Sequence, residues 1–207
     1  TRVNIPDALL VFLLVCAGWA ASRGIEDGRI RWVVLAAVFV GFAFNVKMLQ
    51  AYIVVPGLVL AYAVGAPLTW KVKASRLALA GAVLVAVSAS WVSVVDLWPK
   101  DSRPYVGGSE DNTVRELVFG YNGLGRVFGE ETPGGQGGGG APGFGGEPGW
   151  GRLFNAQTGG QIGWLLPFAV VGAVAGLAGR GRGKLSDARR GDMLLWGGWC
   201  LAHLVVF

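Results

Sequence analysis

A chain of 207 residues that is 53% apolar and 15% charged, with a mean hydropathy of +0.50, is excluded as a soluble globular domain. Runs such as 77–98 and 164–179 would leave too much apolar surface in water. The net charge of +5 is excluded as a nucleic-acid footprint, because its bases fall in short segments between apolar runs and form no single patch.

In chain order the apolar runs predict spans at 7–22, 32–44, 49–65, 77–98, 164–179 and 193–207. The expected fold is all-α, a polytopic transmembrane helical bundle of about six spans. Several runs are shorter than the roughly 20 residues that cross a bilayer, so they are expected to be half-buried or to extend through polar flanks. The connections 23–31, 70–76 and 180–190 hold three, three and five Lys or Arg residues, 11 of the chain's 18. By the positive-inside rule they belong in the cytoplasm. Residues 1–7, the break at 45–47 and the long segment 100–163 then face outward. This last segment is acidic, with seven acids against five bases. The expectation is a multi-pass cell-membrane protein in three regions: 1–99 with spans and outer-face site segments, 100–163 as an extracytoplasmic loop, and 164–207 with further spans. The chain shows no initiator Met or signal peptide and stops inside an apolar run, so an internal piece of a longer protein is expected. Cys16 and Cys200 both lie in apolar runs and read as buried free thiols.

The outer loop has two halves. Residues 113–118 are expected to start a short helix with Asn112 as its N-cap. From 134 to 151, 11 of 18 residues are Gly, the composition of a flexible link. A phosphate-cradling loop is the sharper alternative, but the Lys-Ser/Thr ending and the strand–helix context are missing.

Charges beside apolar runs carry the functional signal. Lys47 lies between two such runs, with Asn45 and Gln50 nearby, and Gln50 is expected to share its helical face. A lysine there can hold an anionic group as a compact point charge, or it can merely snorkel at a helix end. Asp7 opens the first span just after Pro6, as a helix-start residue or as a site carboxylate, with Arg2 and Asn4 on the same outer side. Asp96 reads as an interfacial residue. His203 stands alone in an apolar run, so neither a metal-ligand set nor a Ser/His/Asp or Cys/His nucleophile set can be built. From the residues alone, an enzyme, a transporter with a broken helix and a non-catalytic membrane subunit all stay open.

Two segments favour the enzyme and leave the other two readings as alternatives. Asn4-Ile-Pro-Asp7-Ala-Leu-Leu and Phe42-Ala-Phe-Asn-Val-Lys47-Met-Leu-Gln together resemble the GT-C membrane glycosyltransferases of the family 39 type. These are the dolichyl-phosphate-mannose protein mannosyltransferase-like and bacterial aminoarabinose-transferase-like proteins. The strings Ser102-Arg-Pro-Tyr-Val-Gly-Gly-Ser and Phe119-Gly-Tyr-Asn-Gly-Leu-Gly-Arg126 are similar to an actinobacterial branch. The resemblance implies an enzyme that moves a hexose or pentose from a polyprenyl-phosphate donor to a protein, lipid or glycan acceptor on the extracytoplasmic face. It implies a site role for Asp7, and places Lys47 where it can hold the carrier's phosphate. The candidate substrate-binding residues are Lys47, Asp7, Asn4, Arg2, Asn45, Gln50, Arg103, Tyr105, Tyr121, Asn122 and Arg126. No cofactor is certain, and a divalent metal stays open. The family's acidic catalytic loop is expected upstream of Thr1, so the catalytic residues are unknown and this stretch made alone is not expected to transfer sugar. The partners are the lipid bilayer, the donor and the acceptor, with no nucleic acid.

Overall fold

A computed structural model describes residues 6–99, 102, 103, 105, 106, 109, 112–119, 165–178 and 187–206. Among them every regular element is helical: α1 (Pro6–Asp27), α2 (Ile30–Lys47), a 3-10 segment (Met48–Val54), α3 (Val55–Gly65), α4 (Trp70–Asp96), α5 (Val114–Phe119), α6 (Leu165–Ala178) and α7 (Asp187–Val206).

Each turn has a local cause. Helix α1 begins at Pro6, whose missing N–H is no loss in a first turn. It ends before Gly28, which takes a φ of 64° that favours glycine. The Asp27 carboxylate fastens the turn by accepting the Arg29 N–H at 2.9 Å and the Trp32 indole N–H at 2.8 Å. Helix α2 therefore runs back along α1. It stops at Lys47, where Met48 takes a φ of 46° and the helical hydrogen-bond ladder cannot continue. The chain turns there and returns through the 3-10 segment and α3.

Contacts at the ends fix these directions. Arg76 near the start of α4 donates to the Gly28 carbonyl oxygen, and its guanidinium lies 3.5 Å from the Tyr62 hydroxyl of α3. Lys73 donates to the Ala63 carbonyl at 2.7 Å. Gly191 of α7 lies so near Gly65 that an added Cβ would sit 2.9 Å from its Cα. The α1–α2 turn, the end of α3 and the starts of α4 and α7 thus share one end, here the basic end. Asp7 and Lys47 lie at the opposite end, the Lys47 end.

Two apolar clusters fill the bundle. Near the basic end Ala20, Ile25, Ala36, Ala61, Tyr62 and Leu195 pack together. Near the Lys47 end Leu10, Leu14, Phe44, Ala51, Val95 and Val118 do so. The outward face stays apolar: Phe12, Val85, Trp91, Phe168 and Leu201 are each more than half exposed. Such a face is stable only in lipid or against other helices. The stretches Pro6–Asp27, Ile30–Gly65 and Trp70–Asp96 are long and apolar enough to cross a membrane. The described residues thus form an all-helical fold suited to a membrane.

The structure refines several expectations. The break expected at 45–47 falls after Lys47, because α2 keeps its ladder through that residue. Helix α6 covers the expected span at 164–179, but its 14 residues reach only about 21 Å at 1.5 Å per residue. Helix α7 starts at Asp187, well before the span expected from 193, and its first turns carry Asp187, Arg189, Arg190 and Asp192. The N-cap of α5 is Thr113, whose Oγ1 accepts the Glu116 N–H at 3.3 Å, and not Asn112. Asn112 instead takes a φ of 59° and accepts the Val106 N–H at 2.7 Å. Cys16 is partly buried and Cys200 is exposed on the apolar face; both are free thiols. The Gly-rich stretch 134–151 and the basic residues Arg180, Arg182 and Lys184 lie outside the described residues.

Candidate functional site

Lys47 closes α2 and Asp7 opens α1, so the antiparallel pairing of these helices brings the two side chains together. Both charges suit their positions, a base at a helix C-terminus and an acid at an N-terminus. The Lys47 ammonium donates to Asp7 Oδ1, and among the described residues Asp7 is its only polar partner. An ammonium carries three donors, so its capacity is not filled by one carboxylate oxygen. The side chains are 28% and 49% exposed, which lets an incoming anion reach the ammonium without unfolding a helix.

Asn45 lies two residues before Lys47. Its Nδ2 donates to the Val87 carbonyl of α4 at 3.1 Å, and its Oδ1 is buried without a partner. Gln50 belongs to the 3-10 segment, so the turn at Met48 removes the shared helical face expected for Lys47 and Gln50. Beyond the turn, Tyr52 stacks on Phe44 with ring centroids 5.0 Å apart and donates its hydroxyl to Ser88 Oγ at 2.7 Å.

A second polar group caps the same end. Asp96 is 8% exposed and accepts the Val114 N–H at 2.8 Å and Arg115 Nε at 2.9 Å. It thus anchors the first turn of α5 on the last turn of α4. Arg103 donates to the carbonyls of Asp96, Trp98 at 3.1 Å and Asn112 at 3.2 Å. Its guanidinium gathers the loop ends, and its Nε is buried without a partner. Tyr105 is 85% exposed and free to meet a ligand from solvent. Arg2, Asn4, Tyr121, Asn122 and Arg126 lie outside the described residues. Among the described residues no group of three or more His, Cys, Asp or Glu is placed to hold a metal ion.

The structure thus joins Asp7 and Lys47 directly, whereas Asn45 turns its amide to α4. Sequence reasoning missed Tyr52 and Ser88, since one hydroxyl in an apolar run has no sequence signal for its partner 36 positions away. The signal at Asp96 was visible, a carboxylate at the end of a long apolar run, but its partners follow 18 and 19 positions later.

The family described as dolichyl-phosphate-mannose-protein mannosyltransferase matches residues 1–94. "Putative mannosyltransferase YkcB" of Bacillus subtilis (strain 168) is 48% identical over 136 residues, covering 66% of this chain and 19% of that protein. "Putative mannosyltransferase YycA" of the same organism is 30% identical over 275 aligned positions, covering 96% of this chain and 40% of that protein. The chain belongs to the GT-C membrane glycosyltransferases of the family 39 type. It spans less than half the length of either relative. No solved structure matches it. Asp7, Asn45, Lys47, Tyr52 and Ser88 all fall inside the segment that the glycosyltransferase family matches, whereas the Asp96–Arg115 cap lies beyond its end.

Proposed function

We propose that this chain carries the donor-phosphate site of an enzyme that transfers a sugar from a polyprenyl-phosphate carrier to an acceptor on the extracytoplasmic face. The observation that carries the reading is the Lys47–Asp7 pair, partly exposed at a helix break inside the mannosyltransferase-matched segment. Glycosyl transfer from a lipid phosphate leaves negative charge on the departing phosphate, and a positioned ammonium stabilises that charge. Lys47 would exchange Asp7 for the phosphate, with Asn45 and Gln50 close to it in sequence and the exposed Tyr105 of the outer loop as further polar contacts. Arg2, Asn4, Tyr121, Asn122 and Arg126 complete the proposed set, and Arg103 holds the loop that bears Tyr105.

The donor's isoprenoid needs an apolar bed in lipid. The crevice between α2, α3 and α4, lined by Ala36, Val40, Leu58, Tyr62, Ala80 and Leu84, provides one. The orientation follows from the basic end. Arg23, Arg29, Lys71, Lys73, Arg76 and Arg189 gather there, which supports a cytoplasmic basic end and an outward Lys47 end. In this layout α1, α2, the 48–65 return, α4, α6 and α7 make six crossings, with 100–163 outside.

The test is turnover by the intact protein with a labelled polyprenyl-phosphate sugar. Loss of one charge-assisted phosphate contact costs about 1.5–3 kcal/mol, so Lys47→Ala should fall roughly 10- to 150-fold. Lys47→Arg should keep part of the activity, since charge stays while shape changes. Normal turnover in Lys47→Ala with normal membrane insertion would return Lys47 to a helix-end residue.

A further inference from the structure

We infer that Tyr52 and Ser88 are positioning residues for Lys47, a bolt that holds the helix break from which its ammonium projects; this rests on the reading of Lys47 as the phosphate-binding group.

The junction itself is improbable as isolated backbone. Lys47 has φ −147° and ψ 34°, and Met48 has φ 46° and ψ −133°. A methionine at positive φ is uncommon, and such conformations persist only where surrounding contacts over-determine them. Here both legs of the turn are fastened to one place. Before it, Asn45 Nδ2 donates to the Val87 carbonyl at 3.1 Å. After it, the Tyr52 hydroxyl donates to Ser88 Oγ at 2.7 Å. The two anchors are consecutive residues of α4. Phe44 and Tyr52 stack across the gap between the legs, with their planes 28° apart.

Chemistry makes the fastening specific. Ser88 is 4% exposed, a polar side chain buried inside the apolar helix α4. A hydroxyl in that apolar setting is costly without a partner, so Tyr52 and Ser88 each depend on the other. Apolar contact could press the 3-10 segment against α4 at several registers. One short hydroxyl–hydroxyl bond selects a single register, and that register sets where Lys47 stands relative to Asp7. The bolt and the Asp7–Lys47 pair are separate hydrogen bonds, so its effect on a ligand runs through the turn.

The test is binding of undecaprenyl phosphate to the intact protein in lipid nanodiscs, with thermal unfolding followed on the same samples. Tyr52→Phe keeps the ring on Phe44 and removes only the hydroxyl. It and Ser88→Ala should each weaken binding about tenfold, the effect of losing one well-made hydrogen bond from the competent state. The double variant should bind no more weakly than either single one, since both remove the same bond. Ser88→Thr keeps a hydroxyl and should recover most of the affinity. In a Lys47→Ala background, Tyr52→Phe should not change the residual binding at all. A bolt that serves only stability would lower the unfolding temperature and leave the affinity of the folded fraction at the wild-type value, which overturns the inference. So would wild-type binding by both single variants while Lys47→Ala binds weakly, a result that spares the phosphate reading. Wild-type binding by Lys47→Ala would remove that reading and the inference together.

Discussion

Replacing Gly41 by Ala should loosen the contact of α2 with α4 and release the Asn45 anchor. A Cβ at Gly41 would stand 2.7 Å from both Cβ and Cγ1 of Val87, and 3.3 Å from the Leu84 carbonyl oxygen. Ordinary contact begins at 3.4 Å, so the helices must part by about 0.7 Å at this crossing. Overpacking of this kind costs about 1–3 kcal/mol. The same shift would carry Asn45 Nδ2 from 3.1 Å to nearly 3.8 Å from the Val87 carbonyl, outside hydrogen-bond range. A buried amide left without its acceptor adds about 1–3 kcal/mol. The assay is thermal inactivation of detergent-solubilised protein, read as the folded fraction by size-exclusion chromatography. Gly41→Ala should unfold several degrees below wild type. Gly41→Ala with Val87→Ala should regain part of that loss, because the second change removes Cγ1 and leaves only the Cβ of residue 87 in the way. Gly81→Ala is the control: its Cβ meets nothing within 4 Å, so it should be neutral or slightly stabilising. Wild-type stability in Gly41→Ala, or no recovery in the double variant, would refute the reasoning.

Asp96→Ala should free α5 from α4. It removes acceptors from the Val114 N–H and from Arg115, and amide hydrogen exchange across 114–118 should rise at least tenfold while exchange in α1 stays unchanged. Asp96→Asn keeps one acceptor and should give an intermediate rate. Single Cys residues at Gly135 and Gly183 should differ in intact cells: a membrane-impermeant reagent should label Gly135→Cys and leave Gly183→Cys unlabelled. Equal or reversed labelling would overturn the proposed orientation.

The helices were legible because hydrocarbon demands long apolar runs: α1 and α2 follow those runs to within five residues, while α4 starts seven residues before its run, in the basic stretch 70–76. The return at Met48 was legible only as a polar interruption. Its position depends on a positive φ in a methionine, for which no residue-type signal exists. The length of α7 was underestimated because its first turns are charged, and hydropathy does not register a helix that starts outside the apolar layer. Asp7 and Lys47 were both singled out, since each is a charge at the edge of an apolar run. Their meeting across 40 positions needed the antiparallel α1–α2 pair. Asn and Thr are both good caps, so sequence cannot rank Asn112 against its neighbour Thr113 at the start of α5.

The central claim is that Lys47 exchanges Asp7 for a lipid phosphate, and the direct measurement compares undecaprenyl phosphate with uncharged undecaprenol on the intact protein. Wild type should bind the phosphate well above the alcohol. Lys47→Ala should lose that preference while its affinity for the alcohol stays the same, and Asp7→Asn, which removes the competing carboxylate, should bind the phosphate at least as tightly as wild type. Equal preference for the phosphate in wild type and Lys47→Ala would contradict the account.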